Sequence, residues 1–257
     1  MIEKAKVKRQ RGVKSVSKAL MILESFTPAQ PSLSLNDLNK ITGFYKSTIL
    51  RQIDTLVDRG FVVREPETER YRLGSKIYFL GQIFINSSNL LRAVRPALKE
   101  VVHKLEETAG IFVVDGTERL CLILEHGPHF IRATFEPGNR LPLHAGASGK
   151  VLLAFSDESL FDQLFADTQP EKFTKKTITD RFKLRTELDQ IKKQGYAVSL
   201  GERVPSAATV SVPVFGPNGT IACALSNSGP TSRFRKNSLP NIITVSYTHL
   251  TLPTITE

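Results

Sequence analysis

Hydrophobic residues in the first sixty positions recur at helical spacing in three separate runs. The first run begins at Val16 and ends at Phe26, shortly before Pro28. The other two consist of Leu35, Leu38 and Ile41, and of Ile49, Ile53, Leu56 and Val57. A spacing of three and four residues places such side chains on one face of a helix, so we predict three amphipathic helices with a shared core.

A tight turn separates the second and third predicted helices. Ser34 or Asn36 can cap the second helix, and Gly43 is suited to end it. The third helix then runs from about residue 45 to residue 59. Its polar face carries basic, hydroxyl and amide groups, at Lys46, Ser47, Thr48, Arg51 and Gln52. This arrangement predicts a helix-turn-helix, which reads DNA with the first residues of its second helix. The alternative is the solvated face of an ordinary three-helix bundle.

A predicted hairpin follows the third helix directly. The runs "FVV" and "RYRL" are strand-like, and "EPETE" between them is a polar turn. A hairpin at this place is the wing of a winged helix-turn-helix. Its arginines Arg64, Arg70 and Arg72 can contact the DNA backbone or minor groove. We therefore predict a winged helix-turn-helix domain over residues 13–74, mostly α with a β wing.

The pattern changes after residue 74. Residues 75–94 predict a linker helix with enough apolar side chains to contact a partner chain. A second helix is predicted from Pro96 to Glu107, followed by the strand-like runs "IFVVD", "RLCLILEH" and "FIRATFE". Later come a helix, "DRFKLRTELDQIKKQG", and three more strands, "YAVSL", "TVSVPVF" and "TIACALS". Antiparallel strands with helices on one side predict an α+β domain over residues 95–244.

Positive charge is concentrated at the N-terminal end of the chain. Residues 1–92 hold 16 Lys and Arg against 8 Asp and Glu, whereas the rest hold 19 against 17. A basic segment joined to a nearly neutral domain is typical of a DNA-binding protein, so we expect double-stranded operator DNA as a partner.

Other features narrow the class of protein and its location. There are only two cysteines, Cys121 and Cys223, and each stands alone in a strand-like apolar run, which excludes a disulfide framework and a cysteine-rich zinc site. No run approaches the ~20 apolar residues that span a bilayer, and the first apolar run is too short for a signal peptide. We therefore expect a cytoplasmic protein without a membrane partner.

Two segments resemble enzyme motifs only superficially. "HAGASGKV" lacks the first glycine of a phosphate-binding loop and has Val151 where Ser or Thr would bind magnesium. "EHGPH" offers Glu125, His126 and His129 to a metal, but its Gly-Pro favours a solvated turn. We expect no catalytic residues, no metal and no cofactor.

Several ordered blocks resemble one protein family. "SVSKALMILESF", "LSLNDLNKITGFYKSTILRQIDTLVDRGFV" and "YRLG" look like the winged helix-turn-helix of the isocitrate lyase regulator (IclR) family of bacterial transcription factors. "LPLHAGASGKVLLA", "IKKQGYAVSLGERV" and "VSVPVFGPNGTIACALSNSGPTSR" resemble that family's effector-binding domain, in the same order. The resemblance implies a GAF-like fold for the second domain. It also implies a homodimer or homotetramer and a small organic acid as effector.

The resemblance also implies where the effector binds. The block "GASGKVLLAF" is a loop that leads into a helix, whose free N–H groups bind anions. In the family this block supplies backbone donors, which correspond to Ala147 and Ser148 here. The opposite side of the family's pocket corresponds to the hydroxyl residues Thr209, Ser226 and Ser228. The alternative for each hydroxyl is an ordinary backbone hydrogen bond within its strand.

The chain departs from the family's pattern in three places. Tyr45 stands where proline commonly begins the recognition helix, and Ser199 stands where many members have an acid, with only Glu202 retained. The loss of an acid favours an anionic ligand, so we count Ser199 in the effector site. Residues 245–257 lack helical periodicity, and we expect native sequence to stop near Thr244.

The resulting prediction is a ligand-responsive, DNA-binding transcriptional regulator. One alternative is an enzyme with a DNA-binding appendage. The other is a constitutive DNA-binding protein whose second domain only forms oligomers.

Overall fold

The computed structural model describes residues 12–132, 135–166 and 169–248. The chain forms two compact units, which divide between Ser87 and Ser88. Each unit has a hydrophobic core of its own.

The N-terminal unit combines helices with a small antiparallel sheet. Its elements are α1 (Lys14–Glu24), β1 (Ser32–Leu33), α2 (Leu35–Thr42), α3 (Lys46–Asp58), β2 (Val62–Arg64), β3 (Tyr71–Leu73) and α4 (Ser75–Ser87). Strand β3 lies between β1 and β2. Buried residues of the three predicted helices pack against Val62 and Tyr71 of the hairpin. The predicted winged helix-turn-helix is confirmed, although Ile41 and Val57 of the predicted stripes are exposed.

The turn between α2 and α3 is fixed by local hydrogen bonds. Ser34 caps α2: its hydroxyl accepts from the Asp37 N–H at 3.2 Å, and the Asp37 carboxylate accepts from the Ser34 N–H at 2.9 Å. Gly43 ends the helix with a φ of 69°, a left-handed conformation that suits glycine. The Asn39 side-chain amide then donates to the Phe44 carbonyl at 2.7 Å. These bonds fix where α3 begins.

The predicted linker helix is interrupted. α4 ends at Ser87, and α5 (Asn89–Leu105) begins after Ser88, whose hydroxyl accepts from the Leu91 N–H at 3.3 Å. The helix predicted to begin at Pro96 is therefore the later part of α5. The prediction of one continuous helix over residues 75–94 is wrong because Ser88 is an N-cap.

The C-terminal unit is built on one antiparallel sheet. After α5 come β4 (Thr108–Asp115), β5 (Glu118–Glu125), β6 (Arg140–Pro142), α6 (Ala147–Phe155), α7 (Glu158–Leu164), α8 (Arg181–Gln194), β7 (Ala197–Leu200), β8 (Ala207–Phe215), β9 (Ile221–Pro230) and α9 (Leu239–Thr248). The strand order is β6-β5-β4-β9-β8-β7. Every neighbouring pair is antiparallel. The predicted α+β class is confirmed.

Helices cover both faces of this sheet. Ala197 on β7 and Ala224 on β9 belong to the core formed with α6 and α8. The alternate residues Val198 and Val210 face the opposite way and pack with Ile242 of α9. The prediction that helices gather on one side is therefore wrong, since the strands are apolar on both faces.

Two further predictions need correction. The run "FIRATFE" forms no strand in its described residues, 130–132 and 135–136, and a short β6 pairs with β5 instead. α9 continues to Thr248 and buries Ser246, so residues 245–248 are helical although they lack helical periodicity; that native sequence stops near Thr244 stays a prediction. The rest of the predicted non-native tail, residues 249–257, lies outside the described residues.

Candidate functional site

The start of α3 presents a polar surface to solvent. Lys46, Ser47 and Arg51 are exposed, and Thr48 is half-buried. Lys46 is the first residue of the helix, so these side chains lie on its first turns. The N-terminal turns are the part of a recognition helix that reaches base edges.

Gln52 does not belong to this surface. It is only 9% exposed. It follows Ile49 by three residues and precedes Leu56 by four, so it lies on the buried stripe of α3. The prediction that Gln52 contacts DNA is therefore wrong in this structure.

The three wing arginines differ in their surroundings. Arg64 and Arg72 are exposed and form ion pairs with Glu69 and Glu65, at 2.8 and 3.3 Å. Exposed pairs of this kind hold a side chain weakly, so both arginines remain available to phosphates.

Arg70 binds within its own unit. Its guanidinium donates to the Ser32 carbonyl at 2.7 Å and to the Ser32 hydroxyl at 3.2 Å. It also contacts the Asp37 carboxylate at 3.3 Å. Arg70 thus joins the hairpin to the start of α2, which corrects its predicted role as a DNA contact.

A cavity of about 280 Å³ opens in the C-terminal unit at the start of α6. Ala147 and Ser148, the first two residues of α6, line it. No described residue accepts a hydrogen bond from either backbone N–H. Gly146 precedes them with a φ of 93°, a conformation that favours glycine. These donors and the positive end of the helix form a site suited to a carboxylate.

Hydroxyl groups from three neighbouring strands line the same cavity. Ser199, Thr209 and Ser228 stand side by side on β7, β8 and β9, and the Thr209 and Ser228 hydroxyl oxygens are 3.1 Å apart. The structure therefore brings together five of the six predicted effector residues.

Ser226 is the exception. It shares a sheet face with Ser228 but lies two residues further from the cavity, near Ala224 in the core beneath α6. It is fully buried, and its hydroxyl donates to the Ser211 hydroxyl at 2.9 Å. The prediction that Ser226 lines the effector site is wrong because α6 covers that part of the sheet.

The sequence analysis missed a buried arginine in the cavity. Arg119 on β5 is 3% exposed. Its Nη1 donates to the Pro142 carbonyl and, at 2.9 Å, to the Ala145 carbonyl, whereas its Nε has no partner among the described residues. Burial, assisted by the charge of Arg203, lowers the pKa of Arg119 to about 9. A single arginine in a strand gives no sequence signal of this position.

Behind the start of α6 lies a buried charged network. The Lys150 ammonium is 2.6 Å from the Glu202 carboxylate and 2.9 Å from that of Glu187. Glu202 also accepts from the Gly146 N–H at 2.9 Å and lines the cavity. The lysine of "GASGK" thus neutralises carboxylates and fixes the loop before α6. The described contacts do not resemble a nucleotide-binding loop.

Apolar and basic side chains complete the cavity. The rings of Phe112 and Phe135 lie 5.3 Å apart, and both face the cavity. Arg132 and Arg203 also line it. Arg203 is half-buried and has no hydrogen-bond or ion-pair partner among the described residues. The cavity therefore combines an apolar interior with several donors.

Residues that could support other chemistry are dispersed. Over the described ranges, no group of three His, Cys, Asp or Glu side chains could hold a metal ion. His126 of "EHGPH" lies 3.8 Å from the Glu136 carboxylate. Burial raises the pKa of both Cys121 and Cys223 to about 12. Within the same ranges, no helix has the length and apolar character needed to cross a membrane.

Comparison with solved structures identifies the fold. An IclR transcriptional regulator from a Silicibacter species superposes with a TM-score of 0.84 at 28% identity, covering 92% of this chain and 93% of that chain. An IclR homolog from Microbacterium hydrocarbonoxydans, crystallised with 4-hydroxybenzoate, superposes with a TM-score of 0.79 at 22% identity. That match covers 92% of this chain and 98% of the homolog, and it supports the shared fold.

Sequence comparison identifies the family. The HTH-type transcriptional regulator XynR of Escherichia coli is 32% identical over 229 residues, which cover 89% of this chain and 91% of the relative. The E. coli transcriptional repressor IclR is 28% identical, covering 86% and 81%. The IclR helix-turn-helix family model matches residues 15–66, and the model of the bacterial transcriptional regulator IclR C-terminal domain matches residues 82–246. The chain therefore belongs to the IclR family of bacterial transcriptional regulators.

Proposed function

We propose that this regulator binds operator DNA through α3 and the wing and changes its operator affinity when a small organic acid occupies the C-terminal cavity. The observation that carries the proposal is the pair of N–H groups, on Ala147 and Ser148, that have no acceptor among the described residues and lie at the edge of a partly apolar cavity. We propose no catalytic role, and the named relatives are all regulators.

The DNA contacts are proposed from chemistry and exposure. Arg51 can donate two parallel hydrogen bonds to a guanine in the major groove. Lys46, Ser47 and Thr48 are near it on the first turns of α3 and can reach phosphates or base edges. Arg64 and Arg72 on the hairpin supply charge to the flanking backbone. Such a protein acts in the cytoplasm, where the bacterial chromosome lies.

The effector contacts follow from the cavity. The N–H groups of Ala147 and Ser148 would bind a carboxylate, and Thr209, Ser228 and Ser199 would hydrogen-bond its other polar groups. A volume of about 280 Å³ suits a small molecule, at the lower end of ordinary ligand pockets. The M. hydrocarbonoxydans homolog was crystallised with 4-hydroxybenzoate, which supports an aromatic acid as one candidate class.

We also propose that the protein acts as a homodimer or homotetramer. α4 exposes five large apolar side chains, of which Phe79, Leu80, Ile83 and Phe84 share one broad face and Tyr78 lies beside it. A patch of this kind is typical of a protein–protein contact. Two linked recognition helices would then bind the two halves of a pseudo-palindromic operator.

Operator titration tests the proposal. The operator is first selected from random DNA with the full chain, and its affinity is then measured with and without a panel of small organic acids. Arg51→Ala should weaken cognate binding by about 1–3 kcal/mol and relax base preference at one position per half-site, because a bidentate base contact is lost. Arg59→Ala, at the other end of the same helix, is the matched control.

Two outcomes would contradict the proposal. If Arg51→Ala leaves operator affinity and base preference unchanged, α3 is not the recognition helix. An operator affinity that no acid changes would remove the sensing role.

A further inference from the structure

The charges that line the cavity do not balance. Three arginines line the cavity, the buried Arg119, the half-buried Arg203 and the exposed Arg132, together with one acidic residue, Glu202. The lining therefore carries two positive charges more than negative ones. Lys150 and Glu187, which pair behind the start of α6, cancel each other and leave this excess unchanged.

Glu202 stabilises the charge of Arg119 only in part, because both of its carboxylate oxygens already have other partners. One of its carboxylate oxygens accepts from Lys150 and the other from the Gly146 N–H. Its charge is thus directed at α6. The guanidinium groups of Arg119 and Arg203, which are buried and half-buried, therefore favour an anion in the cavity, because buried charges are ordinarily paired.

Of the three arginines, Arg203 most clearly lacks a polar partner among the described residues. It is half-buried and makes no hydrogen bond or ion pair with any described residue. Burial lowers its pKa, so holding its charge in the cavity is costly without a partner. A guanidinium presents two parallel N–H groups that match a carboxylate.

Arg119 also favours a bound anion in this cavity. Its Nε is a buried donor without a described acceptor. The positive charge of Arg203 contributes to the lowered pKa of Arg119, so the two guanidinium groups repel each other. A ligand anion near both would relieve that repulsion.

We propose that the effector of this cavity is a small dicarboxylic acid. One carboxylate binds the N–H groups of Ala147 and Ser148, and the second binds Arg203 in the field of Arg119. Phe112 and Phe135 contact the carbon skeleton between them. This inference rests on the proposed acid-sensing function and names its ligand class.

Charge and size favour a small dicarboxylate. The lining has a formal excess of two positive charges, which a dicarboxylate balances, whereas a phosphorylated acid brings about three negative charges. The volume of about 280 Å³ corresponds to about nine water molecules, so an acid of roughly ten non-hydrogen atoms fits inside the cavity. Succinate, glutarate and benzenedicarboxylates are acids of this size.

Matched pairs of acids test the proposal by isothermal titration of the full chain at constant ionic strength. The pairs are butyrate with succinate, pentanoate with glutarate, and benzoate with isophthalate. A hydrogen-bonded charge contributes about 1.5–3 kcal/mol, so in at least one pair we expect the diacid to bind about 10- to 100-fold more tightly.

Variants of Arg203 locate the second carboxylate. Arg203→Gln should reduce the preference for the diacid to within about threefold, because the charged partner is lost. Arg203→Lys should retain part of it. Arg95→Gln, an exposed position on α5, should retain all of it. Arg203 makes no hydrogen bond or ion pair with any described residue, and circular dichroism checks that each variant is folded.

The outcomes separate this proposal from the one on which it rests. If monoacids bind and diacids bind no better, or if Arg203→Gln weakens both members of a pair equally, the dicarboxylate proposal is wrong and acid sensing stands. If no acid of the panel binds, acid sensing and the dicarboxylate proposal both fail.

Discussion

The two units place positive charge in opposite environments. The N-terminal unit exposes cations to solvent, at Lys46 and Arg51 on α3 and at Arg64 on the hairpin. In the C-terminal unit, Arg119 and Lys150 are at most 3% exposed. The same side-chain types thus serve two purposes within one chain.

The difference shows how burial sets the energy of a charge. An exposed cation is solvated and needs no protein partner, so it is available to a polyanion such as DNA. A buried cation loses its hydration and is stable only with compensating groups. Lys150 has two carboxylates and Arg119 has two carbonyls, whereas the half-buried Arg203 has neither kind of partner among the residues that the structure describes.

Removing Lys150 should have the largest effect on stability. Lys150→Met leaves the Glu187 and Glu202 carboxylates without their cation, so we expect a loss of about 3 kcal/mol of unfolding free energy, measured by urea denaturation. Lys192→Met, on the exposed face of α8, should change it by less than about 0.5 kcal/mol. Equal effects of the two substitutions would remove the contrast between buried and exposed cations.

Arg70 should give an intermediate effect. Arg70→Met removes the hydrogen bonds that join the hairpin to Ser32, so we expect a loss of about 1 kcal/mol of unfolding free energy. Arg72→Met, which removes only an exposed ion pair, is the control. If Arg72→Met is the more destabilising of the two, Arg70 has no structural role in the unit.

Arg64 should have the smallest effect on stability. Arg64→Gln breaks only the exposed pair with Glu69, so we expect less than about 0.5 kcal/mol by the same denaturation assay. Its effect should appear in DNA binding, where the slope of log K against log salt falls by about 1. Lys99→Gln, in the other unit, should leave that slope unchanged. If Arg64→Gln does not alter this slope, Arg64 of the hairpin does not contact DNA phosphates.

The winged unit could be predicted closely because its signals are local. Ser34 and Gly43 bracket α2 within ten residues, and hydrophobic periodicity places Ile49 and Ile53 inside. Prediction failed at Gln52 and Arg70, where polar residues were assumed to face solvent. Gln52 is buried, and Arg70 is hydrogen-bonded to Ser32, and the pattern of polar residues reveals neither.

The cavity could be predicted only in part. The first turn of α6 and the aligned hydroxyls Thr209 and Ser228 carry the family's pattern, and they do line the cavity. Arg119 and Arg203 come from separate parts of the chain, and only the strand order of the sheet and the packing of α6 bring them to one cavity. The misplacement of Ser226 has the same origin, since sequence does not show how far α6 extends across the sheet.

The burial of both cysteines has a practical consequence for spectroscopy. Cys121 and Cys223 are at most 1% exposed, and burial raises the pKa of each thiol to about 12, so almost no reactive thiolate exists at neutral pH. A maleimide dye will therefore leave the native thiols unlabelled. A cysteine introduced at the fully exposed Phe130 would carry the only label. Phe130 precedes the cavity-lining Ile131, so the fluorescence of a dye attached at position 130 can follow ligand entry. No native residue of the core has to be removed.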